Sequence, residues 1–468
     1  MFSISYTHRN QLDSEPVAIG DPHEKISLGP ILTYSQAQTG LNLCVTLIGL
    51  HLLYFYSDRR GLSPALAGLA FFIALVLDAV TDPLAGNISD RARFKSGRRR
   101  PFFLAAIPMA LFYFLLLSPP QLHRGLFAWF LVTYFLMLTA RKFYETAYGA
   151  LMPELTLDYD ERTKVASFRQ LFGTAGDISG ALLPFLASYL FARGLDFKMT
   201  GAVCALVVAG SAMALYFGVR EREEFSTKQS SRLYESIVSV MANRPFVILL
   251  IATSLSVMAI NIPTVLIRFL AKYWYHDDGA AARWLIMYFA GSLVSYPFWF
   301  KITVRIEKKQ AFVVAMLCNA LCSLLFLTVS PDGWIALNGL MFLSGFSAIG
   351  IWITQFSASA DVIEWDEERT GQRQEGAYGG VTTMAVKISV AITLLLAGLV
   401  MTWIGYVPGV GSLPTAAAEN LRKVFAIGPA SIYLISAMVF MRYPITREVH
   451  RAMRERLIAR GAAVVKSA

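Results

Sequence analysis

The chain alternates apolar runs of about twenty residues with short polar connections. A helix rises about 1.5 Å per residue, so a run of that length crosses the roughly 30 Å hydrocarbon core of a bilayer. Twelve such spans are predicted, beginning near Ile31, Leu62, Pro101, Leu126, Val165, Met199, Phe246, Ala281, Ala311, Trp334, Ala377 and Leu421. The one long connection, a charged stretch from about Arg220 to Arg244, falls between the sixth and seventh. The expected organisation is a tail over 1–29, a six-helix bundle over 30–219, a linker over 220–244, a second six-helix bundle over 245–442 and a tail over 443–468. A proline late in a span followed by a basic loop occurs at Pro83 to Arg100 and again, about 214 residues on, at Pro297 to Lys309. That recurrence suggests duplication, and two pseudo-symmetric six-helix repeats place a transport site near the midplane between them.

Composition agrees with a membrane solvent. Of 468 residues 55% are hydrophobic and 16% charged, with a mean hydropathy of +0.50, a balance expected of an all-α integral membrane protein. The formal charge of +10 does not imply nucleic acid, because the basic residues form short clusters between apolar runs rather than one basic face. These clusters sit in alternate connections: Arg91 to Arg100, Lys301 to Lys309 and Arg442 to Lys466. The positive-inside rule therefore makes those loops and both termini cytoplasmic in a plasma membrane, an inner membrane if the source is bacterial. Arg59 and Arg60 run against the trend. Residues 1–29 lack the pattern of a cleavable signal, so the first span is expected to direct its own insertion. Cys44, Cys204, Cys318 and Cys322 all lie in apolar runs and read as reduced packing residues. The expected partners are the bilayer and a small-molecule substrate, with the chain acting as a monomer.

Ionisable groups inside apolar spans carry the functional signal, since each costs about 2.5 to 3.5 kcal/mol at the bilayer centre on insertion scales. In LVLDAVTDPLAG of the second span, Asp78 and Asp82 are four residues apart and share a helical face, with Thr81 beside them. Two crowded carboxylates suit a hard cation such as sodium, and they can equally hold one proton between them. The structural alternative is that they satisfy neighbouring basic groups. Span four carries Arg141, Lys142 and Glu145, which either cancel within one turn or face a polar chamber. Span five adds Arg169 and, eight residues on, Asp177; span eleven adds Lys387, either the counter-ion of Asp78 and Asp82 or a lysine snorkelling to the interface. Further charges, Asp90, Arg98 to Arg100, Arg162 and the run from Asp361 to Gly376, fall in cytoplasmic loops of opposing halves and are candidates for a gate or for ordinary solvated loop charge.

DAVTDP followed by GNISDRARFKSGRRRP resembles the glycoside-pentoside-hexuronide:cation symporters of the major facilitator superfamily, whose best-known members are the melibiose permeases. YFYSDRRGLS, ALMPELTLDYDER, ADVIEWDEERTGQRQEG and VKISVAITLLLAGLVMTWIGYVPGV extend the resemblance over most of the chain. It implies the major facilitator fold, a coupling cation at Asp78 and Asp82 with Thr81 and Lys142 at the neighbouring ligand positions, and Lys387 close by. It also implies substrate contacts at Asn42, Glu145, Arg169 and Lys387, and a cytoplasmic charge clamp at Arg162, Glu364, Glu367 and Arg373, to which the loop charges Asp90 and Arg98 add as gate candidates. Two departures matter: Asn42 stands where sugar-transporting relatives carry an Asp, and Lys142 brings a positive charge to the cation site. A related branch that moves lysophospholipids shares the first departure. The expected function is symport of a sugar, glycoside or uronide with sodium or a proton, the alternatives being an amphiphile symporter or a non-concentrating facilitator or channel. The six scattered histidines form no recurring metal or acid-base pair, which argues against an enzyme, and beyond the cation no cofactor is expected.

Overall fold

A computed structural model describes residues 27–91, 100–121, 124–155, 159–191, 196–218, 240–330, 332–371, 374–409 and 412–467; the side chains of 83–91, 150, 152–154, 159–160, 162–163 and 458–467 fall outside that description. Among the described residues all regular structure is helical. Among the described residues eleven helices are long and apolar enough to cross a bilayer, from Pro64–Asp82 to Thr415–Phe440. The remaining predicted span, the first, is assembled from consecutive pieces: Leu28–Ser35, Ala37–Leu47 and the wider π-helical turns Ile48–Leu52 and Phe55–Arg59. Hydropathy placed this span correctly and carried no sign of its irregular winding. The twelfth helix begins at Thr415, earlier than its apolar run suggested, and the C-terminal tail contains a further helix, Arg447–Ser467.

The spans pack as two groups. Span one lies on spans five and six, two on four, and three on four and six; in the second half span seven lies on eleven and twelve, eight on ten, and nine on ten and twelve. Between the groups, span two lies along span eleven, span five touches span eight, and span seven meets the irregular turn of span one. With no solvent-driven collapse available inside lipid, close helix contact relies on small residues that let backbones approach. A methyl group at Gly176 or Gly180 would overlap the backbone of span one, one at Gly291 or Gly345 would overlap the facing span, and one at Gly398 would overlap the backbone at Pro64. The apolar side chains left outside, among them Leu206, Leu293, Ile335 and Trp403, face the lipid.

Arg59 and Arg60, the exceptions to the charge pattern, are both engaged at the end of the first span. Arg59 lies 3.9 Å from Asp196 at the start of the sixth, and Arg60 lies over the Phe55 ring.

Candidate functional site

Four charges meet where span two crosses span eleven. Asp78 and Asp82 project from one face of the second span, as their spacing requires. Lys142 of span four reaches both, its Nζ 2.9 Å from Asp78 Oδ1 and 2.9 Å from Asp82 Oδ1. The same ammonium donates to Thr81 Oγ1 at 2.8 Å and to the Asp78 carbonyl. From the other half Lys387 donates to Asp78 Oδ2 at 2.8 Å and to Asp82 Oδ1 and Oδ2 at 3.0 and 2.7 Å. Two carboxylates and two ammonium groups thus form a closed, formally neutral set. Asp78 and Lys142 are buried, while Asp82 and Lys387 are each about a third open, so the set has a wet side and a dry side.

A second polar line runs between spans one and five. Arg169 Nε donates to Gln38 Oε1 at 2.8 Å, Gln38 Nε2 to Asn42 Oδ1 at 2.6 Å, and Asn42 Nδ2 to Asp177 Oδ2 at 3.1 Å; Thr46 Oγ1 donates to the other Asp177 oxygen at 2.7 Å. The Arg169 guanidinium also lies over the Tyr148 ring. Asp177 and Thr46 open onto a cavity of about 380 Å³ between the halves, within the roughly 300 to 1,000 Å³ of small-molecule sites. Its opposite wall comes from the second half and includes Asn261, Tyr288, Phe289, Asn319, Trp352 and Tyr433.

Beyond this cavity, at the end away from the basic loops, the halves are fastened together. Asp58 accepts from Lys272 Nζ at 2.7 Å, from Tyr406 Oη at 2.9 Å and from the Tyr273 hydroxyl. Below it Arg268 lies 3.3 Å from His51 Nδ1 and over the rings of Tyr54 and Phe185, with His51 Nε2 2.9 Å from the Ala181 carbonyl. Sequence reasoning passed over this cluster. Asp58 and Lys272 look like span-end charges, although Arg268, alone in the apolar stretch IPTVLIRFLA, was a usable signal.

The remaining sequence candidates scatter. Glu145 pairs with Arg141 at 3.1 Å on its own helix, is largely exposed and does not line the cavity. Lys387 is committed to Asp78 and Asp82 and does not line the cavity either. Glu364 lies 3.0 Å from His450 of the terminal helix, a contact within its own half, and the neighbouring Asp361 accepts from Lys308 at 2.7 Å. Glu367 sits on the same helix, Trp334–Thr370. Arg98, Arg373 and the side chains of Asp90 and Arg162 lie outside the described residues.

Two groups of six spans, a cavity between them sealed at one end and a charge cluster joining them inside the apolar zone together define a membrane transporter. The model of the MFS/sugar transport protein family matches residues 33–447, and the chain belongs to that family. An Escherichia coli K12 protein whose name, glycoside/cation symporter YagG, is provisional is 27% identical over 421 residues, covering 88% of this chain and 91% of its own. The sodium-dependent lysophosphatidylcholine symporter 1-A of Danio rerio is 24% identical over 444 residues, covering 86% and 83%. Among solved structures, a bacterial homologue of the human lysosomal transporter Spinster, in an inward-facing and unoccupied conformation, superposes with a TM-score of 0.64 at 14% identity over 89% of this chain and 98% of its own. That likeness supports the fold.

Proposed function

We propose that the chain couples movement of a small polar organic solute, a sugar or glycoside, to a cation by rocking its two halves about the central cavity, with the basic loops facing the cytoplasm. The observation that carries the coupling is the four-charge set. Lys387 is the one member from the second half, and it is tied to both carboxylates. Adding a positive charge at Asp82 removes half of that tie, which links ion binding to the relative position of the halves. The linkage is reciprocal, so solute that favours the loosened state tightens the ion by the same factor.

The ion is read as a proton. A hard cation would need the oxygens of Asp78, Thr81 and Asp82 for itself, and Lys142 Nζ occupies the point within 2.9 Å of all three side chains. The set is already neutral, so it offers sodium little net attraction, whereas a proton needs a single carboxylate oxygen. The name of the E. coli relative supports cation-coupled glycoside transport, and the name of the zebrafish relative gives sodium and a lysolipid for that protein.

The test uses full-length protein in proteoliposomes with methyl and 4-nitrophenyl glycosides as probes, comparing an inside-alkaline pH gradient with an inward sodium gradient of equal size. Saturable accumulation driven by the pH gradient is expected, with Asp82→Asn reduced to equilibration. Accumulation driven by sodium alone would sink the proton reading, and equilibration under both gradients would sink symport.

A further inference from the structure

The two walls of the cavity differ in chemistry. Among the described residues that line it, Asp177 is the only acidic or basic side chain; the rest of the lining is amide, hydroxyl, aromatic and aliphatic. A carboxylate has about four lone-pair positions. Asn42 and Thr46 each fill one, on different oxygens. Asp177 is half-buried, so the unfilled positions are available to a molecule in the cavity. Facing it are Tyr288, Phe289, Trp352 and Tyr433, whose rings suit the C–H face of a sugar or an apolar aglycone.

We infer that Asp177 contacts the solute and sets its charge class: the site takes an uncharged, hydroxyl-rich glycoside with one apolar face and rejects anionic solutes such as uronides, sulfonated sugars and phosphorylated lipids. This rests on the transport reading above and narrows it. Solute hydroxyls donate to the unfilled carboxylate positions, and a hydrogen bond to a charged acceptor is about twice as strong as a neutral one. An anion placed in the same cavity meets a like charge with no cation among the described lining residues to compensate, and like-charge juxtaposition suppresses such partners. Arg169 lies outside the lining and reaches Asp177 only through Gln38 and Asn42, so it does not meet a solute beside that carboxylate.

The test is calorimetric titration of the full chain in nanodiscs with matched pairs: 4-nitrophenyl glucosides and galactosides against the corresponding 4-nitrophenyl uronides. Each pair shares ring and aglycone and differs in charge at one carbon. The wild type is expected to bind a neutral member at least about tenfold more tightly than its uronide, and Asp177→Asn to shrink that ratio to about threefold or less. Thr46→Val removes one hydrogen bond from Asp177 and keeps its charge, so it should retain the preference while weakening both members. Equal or tighter binding of the uronides by the wild type, or no binding in any series, overturns the inference without any variant. An unchanged ratio in Asp177→Asn, or a ratio lost equally in Thr46→Val, also overturns it. Titration is done without a gradient, so a failure of proton coupling leaves this result standing. Proton-driven accumulation of a uronide would overturn this inference alone.

Discussion

Two charge clusters join the halves, and each sets aspartate from the first half against lysine from the second. At the sealed end Asp58 stands alone among its donors: one lysine and two tyrosine hydroxyls converge on a single buried carboxylate. Between spans two and eleven the pairing is redundant, with each of two lysines touching both of two carboxylates. Removing the charge of Asp58 strands Lys272. Removing the charge of Asp82 leaves Lys142 and Lys387 still paired with Asp78. The first cluster is therefore suited to hold one conformation, and the second to change its charge at modest cost, since breaking a buried pair is expensive chiefly when a charge is left without a partner.

The largest expected effect comes from breaking that contrast. Asp58→Asn should open the sealed end and raise the labelling rate of an Asn261→Cys reporter by a membrane-impermeant thiol reagent from that side by at least about tenfold, less than the roughly hundredfold or more that loss of a fully buried pair predicts, because Lys272 is partly exposed. Asp78→Asn in the same background should change labelling far less, because Asp82 keeps both lysines. Equal effects of the two variants would erase the distinction between a holding and an exchanging cluster.

Lys142→Thr sharpens it further by leaving the exchanging cluster with one net negative charge and an additional oxygen. The variant should gain stabilisation by sodium of about 1.4 to 2.7 kcal/mol at concentrations ten- to a hundredfold above its Kd, read as a rise in Tm that lithium or sodium produces and choline does not. Wild-type protein should show no such rise. A sodium response in the wild type, or none in the variant, would remove Lys142 as the reason for a proton.

The two clusters also differed in how far the sequence revealed them. Asp78, Asp82, Lys142 and Lys387 interrupt long apolar runs, so hydropathy isolated them and the cost of bare charge in lipid implied their pairing. Asp58 and Lys272 sit at span ends, where charge is unremarkable, and their partnership depends on two helices whose separation in sequence is over two hundred residues. Asp177 was legible as a charge on the face of Arg169, but not as the one acidic or basic side chain among the described residues lining the cavity, because that follows from what the other walls lack. The spans were read from length and apolarity; the π-helical turns of the first were not, since wider winding leaves composition unchanged. The substrate role of Glu145 and the gate role of Glu364 came from resemblance, and each has a partner within its own half, Glu145 in the one-turn pair with Arg141 that its spacing also allowed.

A smaller effect should come from Gly398→Ala, which acts on the sealed end without touching a charge. An added methyl would meet the Pro64 carbonyl and force spans two and eleven apart near Asp58. Overpacking of a tight contact typically costs about 1 to 3 kcal/mol; the lower part of that range is expected, because these surfaces separate during transport. Labelling of the Asn261→Cys reporter should rise several-fold, with the sodium response and probe selectivity unchanged. Unchanged labelling would mean the close approach at Gly398 is not part of the seal.

The smallest effect separates hydroxyl from charge inside the holding cluster. Tyr406→Phe deletes one donor to Asp58 while leaving Lys272 and the Tyr273 hydroxyl in place, and the ring continues to pack edge-on against Phe269 and Tyr273. A hydrogen bond to a charged acceptor contributes about 1.5 to 3 kcal/mol, but a carboxylate still held by a lysine and a second phenol should lose about 1 kcal/mol or less. Reporter labelling should therefore rise no more than about fivefold, and the double variant Asp58→Asn with Tyr406→Phe should add little to Asp58→Asn alone, because the hydroxyl acts through that carboxylate. Full additivity in this cycle would show that Tyr406 steadies the sealed end through its ring packing, and the tyrosine donors would then no longer set this cluster apart from the exchanging one.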